Sequence, residues 1–318
     1  GQVPAQNRLK LPRIGNPGGY CGLGYLDGGH LPDQLQGRFA TGDFKANRIK
    51  VFSLSDDGAG FKLKWEEPLL RSSHRNFRPV DVNVGPDGAI YVVDWYNSIT
   101  CHQDDAYRDP RRDKAHGRIW RISSKSPVLV PPKLGGAPLR HVLDGLKASD
   151  SWTRGQARRE LSNRGTEEVA EALDEWIESL DPKDARHERY LYEALAASSS
   201  IELVRESLLR RVAKSKSTGA RAFAARVVGR WEDRIDDPLD LLAVLARDEN
   251  PRVRMEAVLA AGQVPGMDSI KVVAIASERE MDRSIEYAFT QAIHHLKPQW
   301  EEPFEKGQLT FSKLSHVA

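Results

Sequence analysis

The chain has 318 residues, of which 40% are hydrophobic and 29% charged, and its formal net charge is +2. These values are typical of a folded globular protein with one large or two ordinary domains. The nearly neutral charge gives no electrostatic reason to expect a nucleic acid partner. No apolar run reaches the roughly 18 residues of a transmembrane helix, and the first residues lack the apolar core of a signal peptide. The N-terminal sequence is typical of the interior of a longer protein.

The composition changes sharply along the chain. Residues 1–125 hold 15 of the 25 glycines and carry 19 basic against 14 acidic residues, a net charge of +5. Residues 126–318 carry 28 basic against 31 acidic residues, a net charge of −3, and are rich in Ala, Leu, Glu and Arg. The change occurs at 123–138, where four prolines and two glycines suit an extended linker. We predict a β domain at 1–125, a linker at 126–140, a helical domain at 141–300 and a connector toward a further domain at 301–318.

Short apolar runs interrupted by turn residues predict β-strands in the first part. The clearest signal is a hairpin at 80–95, in which Pro86 presets φ for the turn and Gly88 accepts a positive φ. The glycine-rich stretch 15–29 opens no helix after a strand, so we do not expect a phosphate-binding loop there. The other predicted strands lie at 37–44, 47–55, 60–67 and 118–122.

The hairpin sequence, with the pattern P-x-D-V-x-V-G-P-D-G-x-I-Y-V-x-D, resembles a blade of the NHL or soluble glucose dehydrogenase type of β-propeller. Propeller blades run to roughly 40 to 50 residues, and a closed ring needs about four to eight of them. Residues 1–125 are therefore expected to form the last two to three blades of an incomplete propeller. The remaining blades would come from upstream sequence or from another chain.

The second part has a repeated helical pattern. Segments 150–165 and 248–264 share an acidic residue, a short turn, basic residues and apolar positions three to four apart, and 218–233 is a weaker copy. This pattern favours HEAT repeats; a heptad coiled coil is disfavoured by alanine-rich faces and frequent breaks. The partner helices are predicted at 167–180, 186–197, 201–213, 238–247, 268–277 and 282–296. His294 and His295 would then lie at a helix C-terminus, where a cation suits the dipole.

A loop of about twenty residues follows the hairpin, and loops of this length in compact domains are often functional. It carries carboxylates, guanidinium groups and two imidazoles within 17 positions. Three interpretations remain open: an internal ion-pair network, a site for an anionic ligand or a metal ion, and disordered surface. Asp104 and Asp105 offer hard oxygen ligands to Ca²⁺, although adjacent acids are more often solvated. The polar segment 74–76 before the hairpin favours a turn over a site.

The two cysteines, Cys21 and Cys101, leave both a disulfide and two separate thiols open. The sequence contains no C-x-x-C-H motif, so we expect no covalently attached haem in this chain.

At the level of longer motifs the chain resembles a known group. The string at 77–97, His102, the segment RDPRRDKAHGRIWRI at 108–122, and the segment LKPQWEEPFEKGQLTF at 296–311 carry the likeness. They resemble the large membrane-bound dehydrogenase-like proteins of planctomycetes and verrucomicrobia (the PVC group). Members of that family look like a sugar-dehydrogenase-type propeller followed by HEAT repeats and a C-terminal cytochrome c domain, which this chain lacks.

The resemblance implies part of an exported quinoprotein-like dehydrogenase for sugars or alcohols, periplasmic or membrane-associated, using PQQ and Ca²⁺ and passing electrons to a cytochrome c domain. This chain alone is expected to be inactive. The rival interpretation is a non-catalytic propeller and HEAT scaffold for protein or glycan partners. A third interpretation, a Ca²⁺-dependent propeller hydrolase, accounts for the acidic residues but for neither the arginines nor the HEAT repeats. The implied roles are general base for His102 or His116, cofactor binding for Arg78, Asn97, Arg108, Arg112 and Arg118, and metal binding for Asp94, Asp109 and Asp113.

Overall fold

The computed structural model describes residues 19–100, 108–125, 127, 129–313 and 316. The chain divides into two compact units, which we call the β unit and the helical unit. Among the described residues, the β unit comprises those of 19–55 and 62–160, and the helical unit comprises those of 56–61 and 161–316. The domain limits suggested by composition stay predictions.

Eight strands in the described residues form two sheets. The first sheet has the order β1-β2-β3-β4, with β5 beside β3, and the second has the order β6-β7-β8. The described strands form no closed ring. Their bounds are β1 Tyr20–Leu26, β2 Arg38–Asp43, β3 Arg48–Asp57, β4 Gly60–Trp65, β5 Leu70–Arg71, β6 Pro79–Val84, β7 Ile90–Asp94 and β8 Arg118–Ile122.

The predicted strands are confirmed, and the glycine-rich stretch supplies one that was not predicted. Glycine normally weakens a strand, but in β1 it permits close packing on the second sheet. A Cβ on Gly24 would lie 2.6 Å from the carbonyl oxygen of Val82 in β6. Gly22 has φ +67° where the register between β1 and β2 shifts, and a left-handed residue at such a bulge favours glycine.

The core of the β unit lies between the two sheets. The first sheet contributes Leu26, Ala40 and Ile49, and the second contributes Val82, Ile90 and Val92. All six side chains are buried, which is the apolar burial expected to stabilise a two-layer β structure.

The opposite face of the first sheet carries an aromatic row. Cross-strand pairing aligns Tyr25 with Phe39 and Phe39 with Phe52, and the ring centroids are 5.1 and 5.3 Å apart. Trp65 of β4 extends the row, 5.4 Å from Phe52. The ammonium of Lys50 lies 3.4 Å from the centroid of the Trp65 ring, a cation–π contact that covers one end of the row.

Ten α-helices are described after the strands. Their bounds are α1 Leu139–Gly145, α2 Ser151–Arg164, α3 Thr166–Glu178, α4 His187–Ser200, α5 Glu206–Val212, α6 Thr218–Arg230, α7 Pro238–Leu245, α8 Pro251–Ala261, α9 Ser269–Ile275 and α10 Arg283–Glu305. The predicted helices are present, and all except the last end close to the predicted residues, while α1 was not predicted.

The last helix is longer than its sequence suggests. The sequence predicted a helix end at residue 296, but α10 continues through Pro298 to Glu305, although a proline normally ends or kinks a helix. The indole nitrogen of Trp300 donates a 3.1 Å hydrogen bond to the carbonyl of Ile293, which satisfies a backbone acceptor near the proline. His294 and His295 therefore lie inside the helix, and the assignment of this pair to a helix C-terminus is wrong.

The helices share the arginine pattern seen in the sequence. Arg154, Arg221 and Arg254 each occupy the first turns of a helix, and each guanidinium bonds the two carbonyls five and six residues earlier. These bonds satisfy backbone acceptors of the preceding turn, which would otherwise lack partners. The arginines therefore fix the turn that joins one helix pair to the next.

Candidate functional site

The end of β7 is organised around the buried carboxylate of Asp94. Its Oδ1 accepts hydrogen bonds from the backbone N–H of Arg78 at 2.7 Å and of Tyr96 at 2.9 Å. Its Oδ2 accepts a 3.0 Å hydrogen bond from the indole N–H of Trp120 in β8. A buried carboxylate needs such donors, and here all three come from the chain itself.

Arg78 lies beside this carboxylate and is also buried. Its Nε donates to the carbonyl of Asn97 at 2.8 Å, and one terminal nitrogen donates to the carbonyl of Phe44, also at 2.8 Å. Burial lowers the pKa of the Arg78 guanidinium, and the nearby Asp94 charge acts in the opposite direction. The described contacts use Arg78 to hold β2 and the start of the charged loop together.

The loop begins at a constrained turn. Tyr96 has φ +49°, a left-handed conformation that is uncommon for a bulky residue. The buried Asn97 follows; its amide donates a 3.0 Å bond to the carbonyl of Asp113, and its Oδ1 accepts a 3.1 Å bond from the N–H of Ile99. Asn97 thus joins the start of the loop to the segment of the loop that leads into β8.

Two carboxylates of the returning segment are paired locally. Asp109 forms a bidentate contact with the Arg111 guanidinium at 2.6 to 3.2 Å and accepts the Arg111 backbone N–H at 2.9 Å. These bonds lower the pKa of Asp109 to about 2. Asp113 accepts the backbone N–H of Ala115 at 2.9 Å, and this bond is the main reason that its pKa is lowered.

His116 is held by the same carboxylate. Its Nδ1 lies 2.9 Å from Asp113 Oδ2, and its backbone N–H donates to Asp113 Oδ1 at 3.0 Å. The side chain of His116 is largely exposed. A carboxylate that holds one ring nitrogen orients the other for proton transfer, so this pair has the arrangement of a general base.

Aromatic and cationic side chains gather around Tyr96. The Arg118 guanidinium carbon lies 3.6 Å from the centroid of the Tyr96 ring, and His74 stacks on the ring with centroids 5.5 Å apart. His116 approaches edge-on at 6.3 Å. The sequence favoured a plain turn for His74, because a ring contact across the fold leaves no local signal.

The remaining predicted residues lie as follows. Arg112 lies over Trp95, with its guanidinium carbon 5.3 Å from the ring centroid, and Arg108 is exposed. His102, Cys101, Asp104 and Asp105 lie outside the described residues. Among the residues that the structure describes, no three His, Cys, Asp or Glu side chains are grouped to hold a metal ion. The structure therefore brings together Arg78, Asp94, Asn97, Asp113, His116 and Arg118.

The helical unit contains a groove of about 450 Å³ between the first turns of α4 and α6. It is lined by Ala185, Glu188, Arg189, Tyr192, Gly219 and Ala220, together with a serine. The Tyr192 ring packs edge-on against Phe223 with centroids 5.2 Å apart. Sequence periodicity predicted the two helices, but the groove depends on how they pack.

Comparison with known proteins gives two family matches. Residues 205–294 match HEAT repeats, and residues 3–126 match a domain of unknown function (DUF7133). Together with the two sheets of the N-terminal part, the HEAT match shows β-sheets followed by a helical region that contains HEAT repeats. No curated protein matches the chain.

Two solved structures resemble part of the chain, and both are crystal structures of engineered proteins. The first is 16% identical, with a TM-score of 0.36, and the aligned region covers 57% of this chain and 94% of the engineered chain. The second is also 16% identical, with a TM-score of 0.31, and the aligned region covers 56% of this chain and 92% of the engineered chain. None of the described helices combines the length with the apolar composition that a membrane-spanning segment requires.

Proposed function

We propose that the chain is an interaction scaffold of a larger exported protein, in which β-propeller blades and HEAT repeats present binding surfaces to protein or glycan partners. The observation that carries the proposal is the use of the loop carboxylates. Asp94, Asp109 and Asp113 all accept hydrogen bonds from donors of the same loop and its flanking strands. This arrangement is what an internal network that fixes the loop requires.

The scaffold proposal includes further β-sheets in addition to the two that the described strands form. The row of Tyr25, Phe39 and Phe52 lies on the face of the first sheet opposite the core, where Tyr25 is exposed and Phe52 is buried. On the second sheet, Val93 pairs with Ile119 on the face away from the core, and both are exposed. Exposed apolar faces of this kind favour burial against further sheets, which supports additional propeller blades supplied by upstream sequence or by another chain.

The groove of the helical unit supports the same function. It combines the Tyr192 ring with the oppositely charged Glu188 and Arg189, and an aromatic residue beside charged ones is typical of protein-binding surfaces. HEAT arrays bind partners along extended surfaces of this kind. We therefore place the partner-binding role in the helical unit.

A second candidate is the dehydrogenase role, which the orientation of His116 by Asp113 favours. In that role the exposed imidazole of His116 would accept a proton from an alcohol, with His102 as the alternative base. PQQ, when bound, supplies the hydride acceptor. The guanidinium groups of Arg112 and Arg118, each beside an aromatic ring, fit the carboxylates and flat ring system of that cofactor.

The aspartates fit a calcium site less well. Asp94 already accepts three hydrogen bonds from the chain, and Asp109 is held by Arg111. Ca²⁺ binds six to eight oxygen ligands, and the described residues do not gather such a set. We derive no step through calcium.

Titration of the intact parent protein separates the two candidates. The protein is loaded with PQQ and Ca²⁺, and dye reduction is measured over a panel of sugars and alcohols. The scaffold predicts no reduction with any substrate; turnover that requires PQQ would establish the dehydrogenase instead. A C-x-x-C-H motif downstream in the parent reading frame would supply the cytochrome c partner.

The variant Arg112→Ala gives a second test that separates the scaffold role from the dehydrogenase role. Under the scaffold proposal, the loss of its contact with Trp95 lowers the melting temperature and leaves any PQQ uptake unchanged. Under the dehydrogenase role, the variant loses PQQ uptake and keeps its melting temperature. Arg75→Ala, which changes an exposed cation outside the loop, is the matched control and should alter neither quantity.

A further inference from the structure

The groove between α4 and α6 has room for a side chain from another segment. Its volume of about 450 Å³ lies within the range of roughly 300 to 1,000 Å³ in which binding pockets fall. Gly219 and Ala220 line it at the start of α6, and Tyr192 lines it from α4. Outside the adjoining residues and its own helix backbone, a Cβ on Gly219 would have only Ser217 Oγ within 4 Å among the described atoms, at 3.9 Å. A side chain bound over Gly219 would therefore meet open space.

The segment that leads into α6 is basic. Between Glu206 and Glu232 the chain has seven Arg or Lys and no Asp or Glu. Four of the seven are paired with carboxylates of the helical unit: Arg210 with Glu206, Arg221 with Asp248, Arg226 with Glu256, and Arg230 with Glu202. The other three, Arg211, Lys214 and Lys216, are exposed. Within the described part of the chain, the positive charge of this segment is thus only partly neutralised.

The two lysines lie at the α6 side of the groove. Lys216 directly precedes Ser217, which lines the groove. Ser215, between the lysines, is buried, and its Oγ accepts the backbone N–H of Ser217 at 3.1 Å. This bond fixes the turn, with an exposed lysine on each side of Ser215.

The α4 side of the groove carries balanced charge. Residues 181–189 contain three acidic residues and three Arg or Lys, and Arg186 is paired with Asp184. The excess positive charge therefore lies on the α6 side. An apolar side chain with carboxylates next to it along the same peptide matches both the groove and the lysines, whereas an anionic polysaccharide has carboxylates but no apolar side chain.

We propose that the groove binds an acidic peptide segment of a partner protein, with an apolar side chain over Gly219 and Ala220 and carboxylates beside Lys214 and Lys216. This inference rests on the proposed scaffold function, since it names the chemistry of a partner for the helical unit. A buried anchor side chain supplies much of the affinity in interfaces of this kind, and exposed charges supply specificity and association rate.

The test titrates the full chain with a short fluorescein-labelled peptide in which a phenylalanine is flanked by glutamates. Fluorescence anisotropy should show saturable binding that weakens as salt is added, because salt screens exposed charges. A second probe replaces the phenylalanine by serine, and a third replaces the glutamates by lysines. Each should bind about tenfold more weakly, since each lacks one of the two matched features.

The variant Gly219→Leu fills the groove from within the chain. Leucine favours a helix more than glycine does, so the melting temperature should not fall, while binding of the glutamate probe should weaken about tenfold. Gly155→Leu in α2 is the matched control, because no atom lies within 4 Å of a Cβ there either. It should leave binding unchanged.

A charge variant tests the lysines. Lys214→Glu combined with Lys216→Glu should weaken binding of the glutamate probe about tenfold and strengthen binding of the lysine probe. The same changes at Lys45 and Lys133, which are exposed in the β unit, should alter neither.

Two results would show attraction by charge alone and overturn the proposal: equal binding of the serine probe, or unchanged binding to Gly219→Leu. Absence of binding by every probe would also overturn it. The scaffold function itself would then still be decided by the dye-reduction assay, so failure of the groove and failure of the scaffold are distinguishable.

Discussion

The indole N–H of Trp120 donates a 3.0 Å hydrogen bond to Asp94 Oδ2, which joins the edge strand β8 to the end of β7. Asp94 also accepts the backbone N–H groups of Arg78 and Tyr96. One buried carboxylate therefore fixes the entry to the hairpin, the start of the charged loop and the strand to which the loop returns.

Asp94→Ala should destabilise the protein by about 2 to 3 kcal/mol, because it removes a buried acceptor shared by three donors and leaves the buried N–H of Arg78 without it. Urea unfolding measures the free energy of unfolding. Asp33→Ala, which removes an exposed carboxylate, should change it by less than about 0.5 kcal/mol. Equal small effects at both positions would contradict the central role of Asp94.

Gly24→Ala should destabilise the β unit by about 1 to 3 kcal/mol, since the added methyl group would lie 2.6 Å from the carbonyl oxygen of Val82. The two sheets must separate locally to admit it. Gly29→Ala is the matched control, because no atom lies within 4 Å of a Cβ there. Thermal unfolding of the two variants should give a lower melting temperature for Gly24→Ala alone.

The glycines also explain why sequence reasoning missed β1. Glycines such as Gly22 and Gly24 normally weaken a strand, and the close approach of the two sheets that they permit is a property of the packed structure. The HEAT helices could be predicted because their apolar period survives in the sequence. The internal pairing of Asp109 and Asp113 could not, since ligand-binding and self-paired loops have the same composition.

Arg254→Ala should destabilise the helical unit by about 3 kcal/mol. The guanidinium is buried and donates to the carbonyls of Asp248, Glu249 and Glu280 at 3.0 Å each. These acceptors lie in the turns before α8 and α10, and the variant would leave them without this donor. Arg247→Ala removes a guanidinium that is about half exposed and lies 3.6 Å from Glu278, and it serves as the control in urea unfolding followed by circular dichroism. A similar loss in both variants would contradict the specific role of Arg254.

Asp27 joins the end of β1 to the start of α2. Its Oδ2 accepts the backbone N–H of Ser151 at 2.8 Å, and its Oδ1 accepts the Ser151 hydroxyl at 2.9 Å. Burial raises the pKa of Asp27 above its ordinary value of 3.8, and the bonds from Ser151 offset this only in part. The Asp27 carboxyl group therefore stays protonated to a higher pH in the folded protein than in the unfolded chain.

Between pH 3.8 and the raised pKa, the folded state binds more protons at Asp27 than the unfolded state. The contribution of this group to stability must therefore fall as the pH rises through that window. Asp27→Asn keeps an acceptor for the Ser151 N–H and should abolish the fall. Urea unfolding from about pH 3 to pH 7 measures the difference in the free energy of unfolding between the variant and the unmodified protein.

Asp109→Asn is the control of opposite sign. The pKa of Asp109 is lowered to about 2, chiefly by the bonds from Arg111, so its contribution is present above the ordinary pKa and is lost as the pH falls toward 2. That variant should therefore lose stability at neutral pH relative to acid. If Asp27→Asn and Asp109→Asn changed the pH profile in the same direction, the burial that links β1 to α2 could not be the cause of the Asp27 shift.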